Sequence, residues 1–92
     1  MSHPTTAALI IEVADVSLNL DRLAKTRIYT RAGIRDYWIV NLIDHVVEVH
    51  RDPMKGGRGA SRYRDISIIP ADERIVPLAA PFASIAVADL LP

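Results

Sequence analysis

A β-branched run with one charged residue inside it, ALIIEVA at residues 8–14, precedes a segment of helical pattern and then a second β-rich run, DYWIVN. Short apolar runs of this kind are typical of buried strands. The order strand, helix, strand favours a sheet on which the helix packs. Glu12 lies within the first run, where burying a carboxylate without a partner is costly. The rest of the chain must therefore supply a partner for Glu12, or the strand must leave Glu12 in water.

The segment between the two runs is predicted to be a helix. It reads LDRLAKTRIYTRAG, starts at a cap residue, Ser17 or Asn19, and ends at Gly33. At about 100° per residue, one arc of this helix is expected to face the protein interior. Its members are Asp21, Ala24, Lys25, Ile28, Tyr29 and Ala32. This orientation turns Lys25 and Tyr29 toward the strand that carries Glu12.

Two interpretations of Glu12 stay open on the pattern alone. In the first, Glu12 meets Lys25 where the helix packs on the strand, and a carboxylate beside an ammonium group is typical of metal-assisted hydrolytic sites. In the second, Asp21 and Lys25 form an ordinary i, i+4 pair on the helix surface. Glu12 then lies at a sheet edge, in contact with water.

The second half of the chain is predicted to be mostly antiparallel strands, which gives an α/β or α+β fold in one domain, residues 1–92. Tyr37 and Trp38 alternate on a strand, and core packing is expected for at least one of them. The predicted elements, in chain order, are a hairpin formed by residues 36–41 and 45–51, a mobile Pro- and Gly-rich loop at about 52–61, a strand at 62–69, a turn and short strand within 70–78, and a strand followed by a helical turn within 84–92.

Composition excludes several classes of function. The 92 residues include 11 basic and 11 acidic residues and no cysteine, so disulfides and cysteine-ligated zinc are excluded. The three histidines have no metal-binding spacing, and we expect His45 and His50 to be solvated on opposite faces of the hairpin strand. No apolar run is long enough for a membrane span, and no signal peptide is visible. We therefore expect a cytoplasmic protein.

Three segments together carry a resemblance to a known family: LIIEV, then DRLAKTRIYTRAGIRDYWIVN, then VVEVHR. The chain resembles the Uma-type family of restriction endonucleases, which belongs to the PD-(D/E)XK nuclease superfamily. The resemblance implies a restriction-endonuclease-like core, with a mixed sheet and a helix after the first strand. It also implies Mg²⁺-dependent, or Mn²⁺-dependent, hydrolysis of DNA.

The resemblance assigns roles to particular residues. Glu12 matches the glutamate that binds the metal ion, and the backbone carbonyl of Val13 is the second implied ligand. Lys25 matches a catalytic lysine displaced onto the helix, where it orients water or offsets developing negative charge. Tyr29 matches a tyrosine near the site.

Two departures from the family pattern put activity in doubt. The family usually has proline and aspartate before the strand, and here those positions are Ala7 and Ala8. The missing aspartate is a central metal ligand, so we expect a site that is degenerate, or inactive alone. The chain also begins almost at the metal-binding strand, which implies an N-terminally truncated member with an incomplete sheet. We expect such a sheet to be buried in a homodimer or larger oligomer.

Basic residues are the remaining candidates for binding DNA. Arg27 and Arg31 form a pair on the helix exterior, and residues 51–64 hold five basic residues against one acidic residue. We predict phosphate contacts for Arg27, Arg31, Lys55, Arg58 and Arg62. An ordinary solvated loop is the alternative for residues 51–64. The leading hypothesis is a degenerate DNA endonuclease; the alternative is a non-catalytic module that self-associates or binds nucleic acid.

Overall fold

The computed structural model describes residues 8–14, 19–54 and 61–92, and it describes side chains from residue 24 onward within the helix. Six strands and two helices are present there, and their order confirms the predicted α+β fold. The elements are β1 Ile10–Ala14, α1 Asn19–Arg31, β2 Asp36–Asn41, β3 Val46–Met54, β4 Arg62–Pro70, β5 Arg74–Ile75, β6 Ile85–Ala86 and α2 Val87–Leu90.

The main sheet is mixed, as predicted, with four strands in the order β1-β2-β3-β4. Strand β1 is parallel to β2. Strand β3 is antiparallel to β2, and β4 is antiparallel to β3. A parallel pair needs a crossover connection, and α1 provides it. Strands β5 and β6 form a separate two-stranded sheet.

Two apolar clusters lie on opposite faces of the main sheet. The α1 face is built around buried Tyr37, Ile39 and Tyr63, against which Ile10, Ala14 and Tyr29 pack. The opposite face is covered by the C-terminal segment. Its buried members are Trp38, Val40, Val47, Val49, Ile75 and Val87. Strand β2 contributes to both clusters and all six of its residues are buried, which explains its continuous run of large side chains.

The inward face of α1 differs from the predicted arc. Lys25 and Tyr29 do face the sheet, but Ile28 is 61% exposed, and Ala24 and Ala32 are exposed as well. Thr30, which lies outside the predicted arc, is fully buried. Its hydroxyl donates to the carbonyl oxygen of Thr26 at 2.8 Å. Because that bond satisfies the hydroxyl within the helix, Thr30 packs like an apolar β-branched residue.

Helix α1 ends at Arg31, and Gly33 follows at the C′ position, as predicted. Gly33 has φ 74°, a conformation that is costly for other residues. Its N–H donates to the carbonyl of Thr30 at 3.1 Å, and the N–H of Ile34 donates to the carbonyl of Tyr29 at 3.0 Å. These two bonds form a Schellman motif, which satisfies the last carbonyls of the helix. The chain can then turn directly into β2.

The predicted hairpin is confirmed, and Asn41 closes its turn. The Oδ1 atom of Asn41 accepts from the N–H groups of Ile43 and Asp44 at 3.0 and 3.1 Å. Its Nδ2 group donates to the Asp44 carboxylate at 3.0 Å. His45 follows with φ 56° and is exposed, as we expect for this histidine.

The loop predicted at about 52–61 starts too early, because β3 continues to Met54. Residues 55–60 lie outside the described residues. At the other end Ser61 is buried, and β4 then begins at Arg62. The Tyr63 hydroxyl donates to the carbonyl of Ile34 at 2.7 Å, which joins the start of β4 to the segment after α1.

The C-terminal segment is held on the sheet by Asp36, which is fully buried. Its carboxylate accepts from Trp38 Nε1 at 2.6 Å, from Arg51 Nε at 2.9 Å and from the N–H of Leu78 at 2.9 Å. Arg51 also donates to the carbonyl of Val76 at 2.7 Å. The short strand predicted within 70–78 corresponds to β5, and the strand and helical turn predicted within 84–92 correspond to β6 and α2. None of the helices in the described part of the chain has the length and apolar character that crossing a membrane requires.

Candidate functional site

Glu12 lies in the middle of β1 and its side chain faces α1. Two helix residues reach its carboxylate. The Tyr29 hydroxyl donates to Oε1 at 2.6 Å, and Lys25 Nζ lies 3.1 Å from Oε2. Lys25 and Tyr29 are four residues apart, so they project from the same face of the helix. The predicted grouping of Glu12, Lys25 and Tyr29 is thus present in the structure, whereas the catalytic roles assigned to them remain predictions.

Tyr37 is a third partner of Glu12 that the sequence interpretation missed. Its hydroxyl donates to Glu12 Oε2 at 3.3 Å, and its ring is buried. Tyr37 lies opposite Ile10 in the parallel ladder, so its side chain is a diagonal neighbour of Glu12 on the same face. Finding this contact from sequence requires the register between the two strands, which the alternation of side chains does not specify.

The ring of Tyr37 belongs to an aromatic cluster beneath α1. Its centroid lies 4.8 Å from that of Tyr29, 5.4 Å from that of His50 and 6.0 Å from that of Tyr63. The Tyr29 and Tyr37 rings meet edge to face, the arrangement favoured by aromatic quadrupoles. These contacts fix the two hydroxyl groups that point at Glu12.

The carboxylate of Glu12 is favoured in its ionised form. Partial burial by itself raises the pKa of Glu12, but the hydrogen bonds from Tyr29 and Lys25 and the charge of Lys25 together lower it below the ordinary value of 4.5. Burial and the neighbouring Glu12 charge raise the pKa of Tyr37. Tyr37 therefore stays protonated and available as a donor. Burial, followed by the charge of Asp36, raises the pKa of Tyr63 to about 12.

Val13 follows Glu12 directly and Ala8 precedes it by four residues, and neither adds a carboxylate. The side chain of Val13 is 65% exposed on the opposite face from Glu12. The carbonyl of Ala14 accepts from the N–H of Leu42 at 2.9 Å, so the alternation of the ladder directs the carbonyl of Val13 away from β2. Ala8 is exposed and precedes β1.

These residues do not fit a Mg²⁺ site. Mg²⁺ requires six oxygen ligands in octahedral geometry and is usually held by one or two carboxylates together with waters and substrate phosphates. Here both oxygens of Glu12 accept hydrogen bonds from protein donors, one of them a cation. Glu48 lies on the same face, but Ile39 separates it from Glu12 in the sheet, which places their Cα atoms roughly 10 Å apart. Within the described ranges, no three acidic or histidine side chains are grouped to hold a metal ion.

Three of the predicted DNA-binding residues lie in the described part of the chain, and all three are exposed. Arg27 and Arg31 lie on the outer side of α1, and Arg62 lies at the start of β4. The hydrogen bond from Tyr63 to the carbonyl of Ile34 brings the end of α1 close to the start of β4. Arg35 and Arg64 are also exposed, on the same two segments, and sequence reasoning did not select them for DNA binding. Lys55 and Arg58 lie outside the described residues, so their predicted roles are not addressed.

His50 is the clearest error among the predicted polar residues. It is 7% exposed rather than solvated, because α1 packs on β3 and the rings of Tyr37 and Tyr63 lie against that of His50. Its Nε2 atom lies 3.4 Å from Glu48 Oε1, and its ring meets that of Tyr63 edge to face. A run of alternating apolar residues in VVEVHR is compatible with burial on either face, so the sequence alone could not reveal which face α1 covers.

Comparison with protein-family models gives a match over residues 2–88 to Uma2, described as a putative restriction endonuclease. A comparison with curated proteins gives no match. The match extends through β1, α1 and β2, the elements that carry Glu12, Lys25, Tyr29 and Tyr37. The mixed sheet with α1 packed on it is compatible with a restriction-endonuclease-like fold.

Proposed function

Because the chain belongs to the Uma2 family of putative restriction endonucleases, we propose that it is a nuclease-derived domain that binds DNA and that lacks efficient cleavage activity when isolated. Restriction-endonuclease-like proteins generally use Mg²⁺ to hydrolyse phosphodiester bonds. The observation that carries the proposal is the state of Glu12, which has Lys25 at 3.1 Å and no carboxylate at position 8.

The residues that remain have a clear chemical capacity. Lys25 offers a fixed positive charge that offsets negative charge on a phosphate group, and Glu12 holds Lys25 in place. Tyr29 and Tyr37 orient the carboxylate. What this set lacks is a second acidic ligand. An aspartate at position 8 would restore the acid that the family pattern has there, at an exposed position just before β1.

Plasmid nicking tests the proposed loss of activity. We expect no conversion of supercoiled DNA to the nicked form by the wild-type chain with Mg²⁺ or Mn²⁺. The variant Ala8→Asp is expected to nick, and Ala8→Asp/Lys25→Ala is the matched control that should not. Nicking by the wild-type chain that disappears in Lys25→Ala would refute the proposed deficiency. If Ala8→Asp stays inactive, the deficit is more than one missing carboxylate.

DNA binding is proposed to be electrostatic and independent of base sequence. Arg27, Arg31 and Arg62 are exposed on segments that meet near the end of α1. Contacts of this kind weaken as salt rises, because phosphate binding releases counterions. We expect Arg27→Ala/Arg31→Ala to weaken duplex binding and to reduce the salt dependence of the association constant by about two contacts. Arg74→Ala is the control, because Arg74 instead contacts Ser84. Equal effects of the two changes would count against this surface.

A non-catalytic, self-associating module is the second candidate function, and β1 favours it. Within the described residues β1 has one sheet neighbour, β2, and its other edge is unpaired. The side chains of Ile11 and Val13 on this strand are 42% and 65% exposed. Unpaired edges with exposed apolar side chains are templates for pairing with another strand. A second copy of the chain, as the sequence predicts, is the partner that we propose.

A further inference from the structure

Donors from α1 and β2 contact both oxygens of the Glu12 carboxylate. Tyr29 donates to Oε1, while Lys25 and Tyr37 both contact Oε2. The side chain of Glu12 is 24% exposed, and its two oxygens offer about four acceptor sites, of which these donors take three. A metal ion that binds both oxygens of Glu12 must therefore displace at least one of these donors.

Charge makes this displacement unfavourable. Glu12 and Lys25 carry one negative and one positive charge and together form a neutral pair at 3.1 Å. A divalent cation approaching a neutral pair gains the attraction of the carboxylate but suffers the repulsion of the ammonium group. In sites that do recruit such ions, affinity grows with the number of acidic ligands. Position 8, which could add one, is alanine.

We propose that Lys25, together with the hydroxyls of Tyr29 and Tyr37, takes the place of a divalent cation at Glu12. The ion pair between Lys25 and Glu12 then excludes metal ions from this carboxylate. This inference rests on the proposed function, since it explains why Glu12 recruits no metal ion when position 8 has no second carboxylate. It assigns Lys25 the role of a counter-ion, whose removal opens the site to metal.

Mn²⁺ binding followed by electron paramagnetic resonance tests the proposal without any reading of activity. The wild-type chain is expected to bind no more Mn²⁺ than Glu12→Gln does, up to millimolar concentrations. Lys25→Met removes the charge and keeps a side chain of similar length. It is expected to raise Mn²⁺ affinity about tenfold or more, and Lys25→Met/Glu12→Gln should lose that gain. Lys25→Gln serves as a second neutral variant, in case Met alters the packing.

Controls separate this site from other weak cation sites. Glu48→Gln removes a carboxylate on the same face that contacts His50 and Asn41 instead. It should leave Mn²⁺ binding unchanged in the wild-type and Lys25→Met backgrounds.

Two results would overturn the inference. The first is saturable Mn²⁺ binding by the wild-type chain that Glu12→Gln abolishes. The second is an absence of any gain in both Lys25 variants when circular dichroism shows them to be folded. Because plasmid nicking is measured separately, a wild-type chain that binds Mn²⁺ at Glu12 but does not nick DNA would refute this inference alone. A wild-type chain that nicks DNA would refute the proposed function.

Discussion

At the scale of single residues, the ionised state of Glu12 depends on two opposing effects, its partial burial and the donors that contact it. A charge-assisted hydrogen bond such as that from the Tyr29 hydroxyl, at 2.6 Å, is stronger than a neutral one. Lys25 is 39% exposed, so water screens its ion pair and its net contribution to stability is small. The tyrosine hydroxyls therefore fix the carboxylate, while Lys25 determines the charge that a ligand meets.

The lowered pKa of Glu12 predicts how stability varies with pH. A carboxyl group whose pKa is lower in the folded chain stabilises the fold above its unfolded value of 4.5, and that contribution is lost as pH falls through the folded value. The wild-type chain should therefore exceed Glu12→Gln in free energy of unfolding at pH 6. The difference should shrink as pH falls from 5 to 3. Urea unfolding at each pH measures it, and a difference that grows on acidification would contradict the assigned shift.

Asp36 is a residue whose loss should destabilise the fold strongly. It is fully buried and accepts from a tryptophan, an arginine and a backbone N–H. Asp36→Asn replaces one carboxylate oxygen with an NH2 group, which cannot accept from these donors. We expect the free energy of unfolding to fall by about 2–4 kcal/mol. Asp65→Asn is the control, because Asp65 is exposed opposite Arg51 in the sheet. Similar unfolding midpoints for the two variants would contradict this account of Asp36.

At the scale of elements, Gly33 determines where α1 ends. A Cβ atom at this position meets nothing within 4 Å, so the cost of substitution comes from φ 74° alone. Gly33→Ala should destabilise the chain by about 1 kcal/mol, whereas Gly33→Asn should cost less because asparagine tolerates left-handed backbone. Thermal unfolding measures the order. Equal melting temperatures for the wild-type chain and Gly33→Ala would show that the Schellman motif is not needed.

Element types and order could be predicted from the sequence because the local signals agree. β-branched runs, Gly33 after the helix and the turn around 42–44 each indicate the same arrangement. The orientation of α1 could not be predicted fully. Thr30 is polar by residue type, yet it is buried because its hydroxyl bonds within the helix, and the sequence does not show that bond. The contacts of Tyr37 with Glu12 and of Asp36 with Leu78 depend on strand register and on segments 42 residues apart, about which local patterns carry no information.

At the scale of the whole molecule, the edge of β1 that is unpaired among the described residues predicts self-association. We expect light scattering at micromolar concentration to give the mass of a homodimer or a larger oligomer. Val13→Lys introduces a charge on the exposed side of β1 and should shift the mass toward the monomer. Phe82→Lys, at an exposed aromatic residue in the C-terminal segment, is the control. A monomeric wild-type chain would contradict this prediction.

The central claim is that Glu12 pairs with Lys25 and has no second carboxylate beside it among the residues that the structure describes. Anomalous diffraction from Mn²⁺-soaked crystals of the wild-type chain and of Ala8→Asp tests this claim most directly. We predict an anomalous peak beside the Glu12 carboxylate in Ala8→Asp and none in the wild-type crystal. A peak coordinated by Glu12 in the wild-type crystal would contradict the claim.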